Sequence, residues 1–169
     1  MSDLGVSITL GHTIGGECPA PIGYVADFTV LHTNGIHILG VAFCGCRGSA
    51  DFRNLTLSNS WWPATPTYPH TAVTFSLLRF AHSLNCNGKL PTWDLWRSLS
   101  ELTEEQTGAS APNRYRVLLR CLRQWRHIKM CRDAGRIRKL AKVLSELGYN
   151  VWYQAASGKI SYLVLLEID

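Results

Sequence analysis

Phe28-Thr29-Val30-Leu31-His32-Thr33-Asn34-Gly35-Ile36-His37-Ile38-Leu39-Gly40-Val41-Ala42-Phe43-Cys44-Gly45-Cys46 is the stretch that decides how this chain begins to fold. Two apolar runs flank Asn34-Gly35, the strongest short signal for a hairpin with a two-residue turn. With those residues at the turn, Thr33 faces Ile36 and His32 faces His37. Continuing the register sets Cys44 opposite Tyr24 or Val25 and Cys46 near Gly23. Cys18 lies a few residues before that point, so Gly11 to Ile22 is delivered to the end of the hairpin that carries the Cys pair. A four-ligand set of His12, Cys18, Cys44 and Cys46 follows.

The hairpin histidines do not belong to that set. Seven residues of strand at about 3.3 Å each put His37 roughly 23 Å from Cys44, too far for a shared ion. His32 and His37 instead form a cross-strand pair at the turn, read as half-exposed residues capping an apolar face, with a weak second metal site as the alternative. Zinc suits the proposed four because it takes thiolate and imidazole in a closed tetrahedron when its role is structural. Gly45 lets the backbone bend so that both sulfurs point at one ion. A Cys-x-Cys is a weaker signal than Cys-x-x-Cys, and spacing alone leaves buried thiols as an equal reading. Cys86, Cys121 and Cys131 fall within predicted helices and read as core filler.

Several separated motifs, in order, carry a resemblance. They are Gly11-His12, Cys18-Pro19, Phe28-Thr29-Val30, the His32 to His37 turn, Phe43-Cys44-Gly45-Cys46, Trp61-Trp62-Pro63-Ala64-Thr65, Thr71-Ala72 with Phe75, and Arg123-Gln124-Trp125-Arg126-His127-Ile128-Lys129. From about Leu4 to Gly135 the chain resembles the CxC-type cysteine-cluster domain associated with KDZ transposases. The resemblance implies a zinc-chelating segment of the kind that sits N-terminal to a transposase catalytic domain. The family pattern carries a further Cys/His-rich stretch ahead of this segment, and after Gly135 the sequence leaves the pattern. The expectation is therefore a truncated derivative or a stand-alone domain, divided into residues 1–135, the cysteine-cluster-like domain, and residues 136–169, a C-terminal extension.

With 169 residues, 46% hydrophobic content and six tryptophans, the chain can bury a real core. No basic n-region with an apolar core opens it and no apolar run approaches the roughly 18 residues of a membrane span, so neither a secretory signal nor membrane insertion is expected. The expected setting is intracellular, with the nucleus a candidate compartment. There cysteines serve as thiols or metal ligands, not as a disulfide framework.

The expected fold class is α+β: an N-terminal β-hairpin with its Cys/His cluster packed on a helical bundle, then a C-terminal helix and β-hairpin. Trp61-Trp62-Pro63 with Pro66 and Pro69 reads as an irregular crossing. Helices are expected over Thr71 to Leu84, over Trp93 to Leu102 capped by Thr92, over Arg114 to Cys131, and over Arg136 to Leu147 ended by Gly148. The tail Tyr149 to Glu167 reads as a hairpin around Ser157-Gly158.

Charge is uneven. Residues 113–142 hold eleven of the seventeen Lys and Arg against one acid, Asp133, a local balance of +10, while the other 139 residues balance at −5. On the long helix Tyr115, Leu118, Leu119, Leu122, Trp125 and Ile128 share one side, with Arg116, Arg120 and Arg123 on the other. Such a face, with Arg126 and Lys129, can neutralise phosphates and release counterions, which gives salt-sensitive, sequence-independent affinity. The expected partner is nucleic acid, DNA ahead of RNA, or else an acidic protein. A plain solvated face is the bland alternative, and membrane-surface binding is weaker because the apolar side is needed for the core.

No catalytic role is expected. A transposase nuclease needs carboxylates converging on divalent metals, and the acids here are scattered; no phosphate loop or nucleophile elbow occurs. The competing readings are a zinc-stabilised nucleic-acid-binding module, a zinc-structured protein-interaction or accessory domain, and a transposon relic without activity.

Overall fold

A computed structural model describes residues 7–11, 18–46, 52–65 and 67–133, together with strand residues 153–154 and 159–160. The hairpin forms from β2 (Pro21–His32) and β3 (Gly35–Cys44), and it is the centre of a five-stranded mixed sheet. Strand β1 (Ser7–Leu10) runs parallel beside β3, β5 (Thr71–Thr74) parallel beside β2, and β4 (Trp61–Pro63) antiparallel on the far side of β5. Among the described residues four helices accompany the sheet: α1 (Phe52–Ser58), α2 (Phe75–Asn87), α3 (Thr92–Thr107) and α4 (Tyr115–Asp133). The architecture is α+β.

The hairpin register differs from the expected one. Leu31 opposes Ile36 and His32 opposes Gly35, so Thr33 and Asn34 form the turn and His37 faces Val30 rather than His32. The positive φ falls on Gly35, at 139°, a conformation open to glycine. A Cβ there would meet Thr103 Oγ1 of α3 at 2.9 Å. That hydroxyl accepts the Ile36 N–H at 2.8 Å, and Gln106 Nε2 donates to Asn34 O at 3.3 Å. Docking of α3 thus holds the turn one residue back from the local optimum. Irregularities between Val25 and Phe28 and between Pro21 and Gly23 shift the pairing further, and Cys44 ends opposite Pro21.

Phe28, Thr29, Val30 and Leu31 are all buried, the mark of a strand covered on both faces. Leu31, Ile36, Trp62 and Val73 lie on one face and pack against Leu77, Leu78, Leu95, Leu99, Leu122 and Trp125 of the helices. Phe28, Val30 and Ala72 lie on the other with Leu10, Val41 and Phe43, against Phe52 and Leu55 of α1.

Two segments adopt strands that local pattern did not announce. Thr71-Ala72-Val73-Thr74 was expected to open a helix, but all four residues are buried as β5, and the Thr74 side chain then caps α2 by accepting the Leu77 N–H. The β-branched residues here fit a ladder better than a helix turn. Trp61-Trp62-Pro63 is the edge strand, the position where proline's missing N–H is tolerated. Helix α3 starts at Thr92 with Pro91 in the capping position and no side-chain cap, and runs on to Gly108 at φ 67°. Its expected length was shorter.

Helix α4 buries Leu118, Cys121, Leu122, Trp125, Ile128 and Cys131. Cys121 and Cys131 are therefore core filler as expected, whereas Cys86 is exposed. In the tail, Tyr153–Gln154 pairs antiparallel with Lys159–Ile160, a short ladder around the expected turn. The helix expected over Arg136 to Leu147 lies outside the described residues.

Candidate metal centre

The corrected register carries Cys44 three or four residues nearer the start of β2 than expected, toward Cys18. Cys18 enters just before β2 and Cys46 lies just past the end of β3. The Sγ atoms of Cys18, Cys44 and Cys46 all lie within 4.8 Å of one another. Two thiolates on one tetrahedral zinc at about 2.3 Å stand about 3.8 Å apart. The Cys18 and Cys46 sulfurs are 3.6 Å apart. The three side chains thus form a group able to hold a metal ion with little rearrangement. His12, the expected fourth ligand, lies outside the described residues.

Aromatic packing and close backbone contact aim these thiols. Phe43 meets Phe52 edge-on at 4.8 Å and Phe52 meets Tyr68 at 4.9 Å, which fixes β3 next to Cys44. The Gly45 N–H donates to Ala20 O at 2.9 Å, and a Cβ at Gly45 would run into the Ile22 side chain. Glycine is required between the cysteines by that close approach, where bending toward an ion had been the expected reason. The Cys46 N–H donates to Cys44 Sγ at 3.3 Å. On the opposite side Gly11 stands against Cys44, at 2.9 Å from its Cβ to a Cβ built on the glycine.

Burial grades across the group: Cys44 is buried, Cys18 intermediate and Cys46 exposed. Hydrogen bonding to Cys44 first, then to Cys18, pushes the Cys46 thiol up to about 11. Its neighbours thus favour the protonated form of Cys46; a metal ion would reverse that preference because it binds thiolate.

The two hairpin histidines do not oppose one another. His32 Nδ1 shares a hydrogen bond with Thr74 Oγ1 at 2.9 Å, and His37 Nε2 with Asn34 Oδ1 at 2.8 Å. Burial first, then the charge of His32, lowers the His37 pKa. They are bonded residues at the turn, in keeping with the bland reading.

The basic helix divides in two. Arg116, Arg120 and Arg123 are exposed, and Arg126 and Lys129 are partly buried toward α2. Arg120 Nη2 donates to Ala64 O at 2.5 Å, and Arg126 Nη2 donates to Asn85 Oδ1 of α2. Sequence periodicity separated the first three correctly but did not show that Arg126 bridges two helices. It also missed the face of α2 that carries Arg79 and His82, whose i, i+3 spacing was the available signal.

A family model described as "CxC2 like cysteine cluster associated with KDZ transposases" matches residues 1–107, more than half of the chain. Helix α4, with the basic residues, lies beyond the matched part yet shares its core with α2 and α3. No curated protein and no solved structure matches the chain.

Proposed function

The chain belongs to the CxC2-like cysteine-cluster family associated with KDZ transposases, and we propose that it is a zinc-structured, non-catalytic module that binds nucleic acid. Zinc is held by Cys18, Cys44 and Cys46, with His12 as the fourth ligand. The observation that carries this reading is the convergence of three thiols within 4.8 Å of one another, with Cys18 and Cys46, 28 residues apart, at the sulfur spacing of a tetrahedral zinc. Gly11, the residue before His12 in the sequence, stands against Cys44. The ion's work is to tie the chain entering β2 to the chain leaving β3.

Arg116, Arg120, Arg123, Arg126 and Lys129 supply the contacts to phosphate, with DNA preferred to RNA and the nucleus the corresponding compartment. The exposure of Arg116 and Arg123 supports this, since their charges face solvent on one helix, with Arg120 beside them bonded through Nη2 to Ala64 O. Among the described residues no carboxylates converge as a metal-dependent nuclease requires: Asp94, Glu101, Glu104 and Glu105 are exposed along α3. No helix of the described residues is long and apolar enough to cross a membrane.

Metal content tests the first half. Elemental mass spectrometry of the purified chain should give one zinc per molecule, lost in a Cys44→Ser, Cys46→Ser double variant; a native chain without zinc overturns the reading. Titration of a labelled DNA duplex tests the second. Affinity should fall steeply with added salt, and absence of binding at low salt would leave an accessory protein-interaction domain as the better account.

A further inference from the structure

Helices α2 and α4 enclose between them a groove of about 350 Å³. Arg79, His82, Ser83, Cys86 and Asn87 line it from α2, at the i, i+3, i+4, i+7 and i+8 positions of one helix face, with the Cys86 thiol 3.8 Å from His82 Nδ1 and Asn87 Nδ2 donating to Ser83 Oγ at 3.3 Å. Lys129 lines it from α4, and Trp125, which is 1% exposed, closes the bottom. None of the lining residues is acidic. Asp133, the acid whose charge reaches His82, is itself paired with Arg132 at 3.1 Å. The groove therefore gathers a guanidinium, an ammonium, a hydroxyl, an amide, an imidazole and a thiol around a space open to water.

We propose that this groove is a phosphate seat, in which Arg79 and Lys129 neutralise one phosphate group while Ser83 and Asn87 donate hydrogen bonds to its oxygens. The assignment rests on the nucleic-acid reading above and deepens it: the group seated is a backbone phosphate of the bound polynucleotide. Two cations of different geometry suit such a group, the guanidinium as a fork and the ammonium as a point charge. The positive field is visible at His82, whose pKa is lowered first by burial and then by the charges of Lys129 and Arg126. Phosphate entering the seat would oppose those charges. Trp125 is too buried to stack on a base, which makes the seat indifferent to sequence. The arrangement also extends the cationic surface from α4 onto α2, beyond the thirty-residue basic stretch.

The test uses the full metal-loaded chain and a fluorescent DNA duplex, titrated by anisotropy over a salt series. An Arg79→Gln, Lys129→Gln variant should bind about tenfold more weakly, with a log–log salt slope shallower by about two. Ser83→Glu, which adds a carboxylate without touching the core, should lose affinity to a similar extent, with an unchanged melting temperature. Native-like binding by both variants overturns the seat and leaves the nucleic-acid reading standing. If the native chain binds no DNA, that reading fails and inorganic phosphate decides the seat separately. Phosphate-dependent shifts of the His82 ring resonances that vanish in the Arg79→Gln, Lys129→Gln variant uphold the seat; unmoved resonances overturn it.

Discussion

The two ends of the β2–β3 hairpin are held by different physics. At the turn, Leu31 and Ile36 enter a large apolar cluster with α2, α3 and α4, and α3 adds a hydrogen bond from the Ile36 N–H to Thr103 Oγ1 at 2.8 Å. At the other end Ile22 is 39% and Tyr24 58% exposed, and the ladder is twice irregular. Three thiols gather there. Apolar burial scales with the area removed from water, and here the helical cluster gives way to a smaller one in which Leu10, Val41 and Phe43 pack against α1. The cysteine group therefore stands beside the smaller of the two clusters. A metal cross-link would add to what that cluster supplies.

Breaking the helical end should cost most. Trp125 touches both Trp62 and Phe75, edge-on at 6.1 Å and tilted at 5.3 Å, so Trp125→Ala should destabilise the chain by about 4 kcal/mol. Denaturant unfolding followed by circular dichroism measures this. If the two ends are held independently, zinc content below the unfolding midpoint stays at the native value.

Removing the metal attacks the other end. With free zinc a hundredfold above its Kd, chelation should lower stability by about 2.7 kcal/mol. Hydrogen exchange should then quicken at Gly23 to Val25 and at Ala42 to Cys44, while Leu31 and Ile36 stay protected. Equal loosening at the turn would erase the distinction between the ends.

A smaller change sharpens it from the turn side. Thr103→Val keeps the shape of the side chain but strips the acceptor from the buried Ile36 N–H, so it should cost about 2 kcal/mol of unfolding free energy in a urea titration. Its exchange signature should be the reverse of chelation, with opening at Ile36 and none at Cys44.

The subtlest contrast is in pH dependence. Neighbouring sulfurs push Cys46 up to about 11 from an ordinary 9.0, and burial alone leads the rise of Cys121 to about 12. Both thiols hold their protons more tightly folded than unfolded. Their contribution to the metal-free fold is thus complete below pH 9.0 and is lost as pH climbs through about 11 and 12. The melting temperature of the chelated chain should fall over that range, less so in Cys46→Ser, with the Cys121 part remaining.

Much of this was legible in residues alone. Asn34-Gly35 between apolar runs announced the hairpin, the Leu118, Leu122, Trp125 periodicity announced α4 and its buried face, and Cys18 with Cys44 and Cys46 announced the thiol group. Those features are local, set by turn chemistry and by periods of two and 3.6 residues. Tertiary structure decided the rest. Which residues form the turn depended on the contact of α3 with Gly35 and Ile36. Whether Thr71 to Thr74 is helix or strand depended on β2 lying beside it. The pointing of Arg126 toward Asn85, and the meeting of Arg79 with Lys129 across a groove, needed α2 and α4 side by side. Pairing energies between segments tens of residues apart outweigh local preferences of about 1 kcal/mol or less. Sequence by itself therefore determined the parts and the donor atoms, and only packing decided their register and their company.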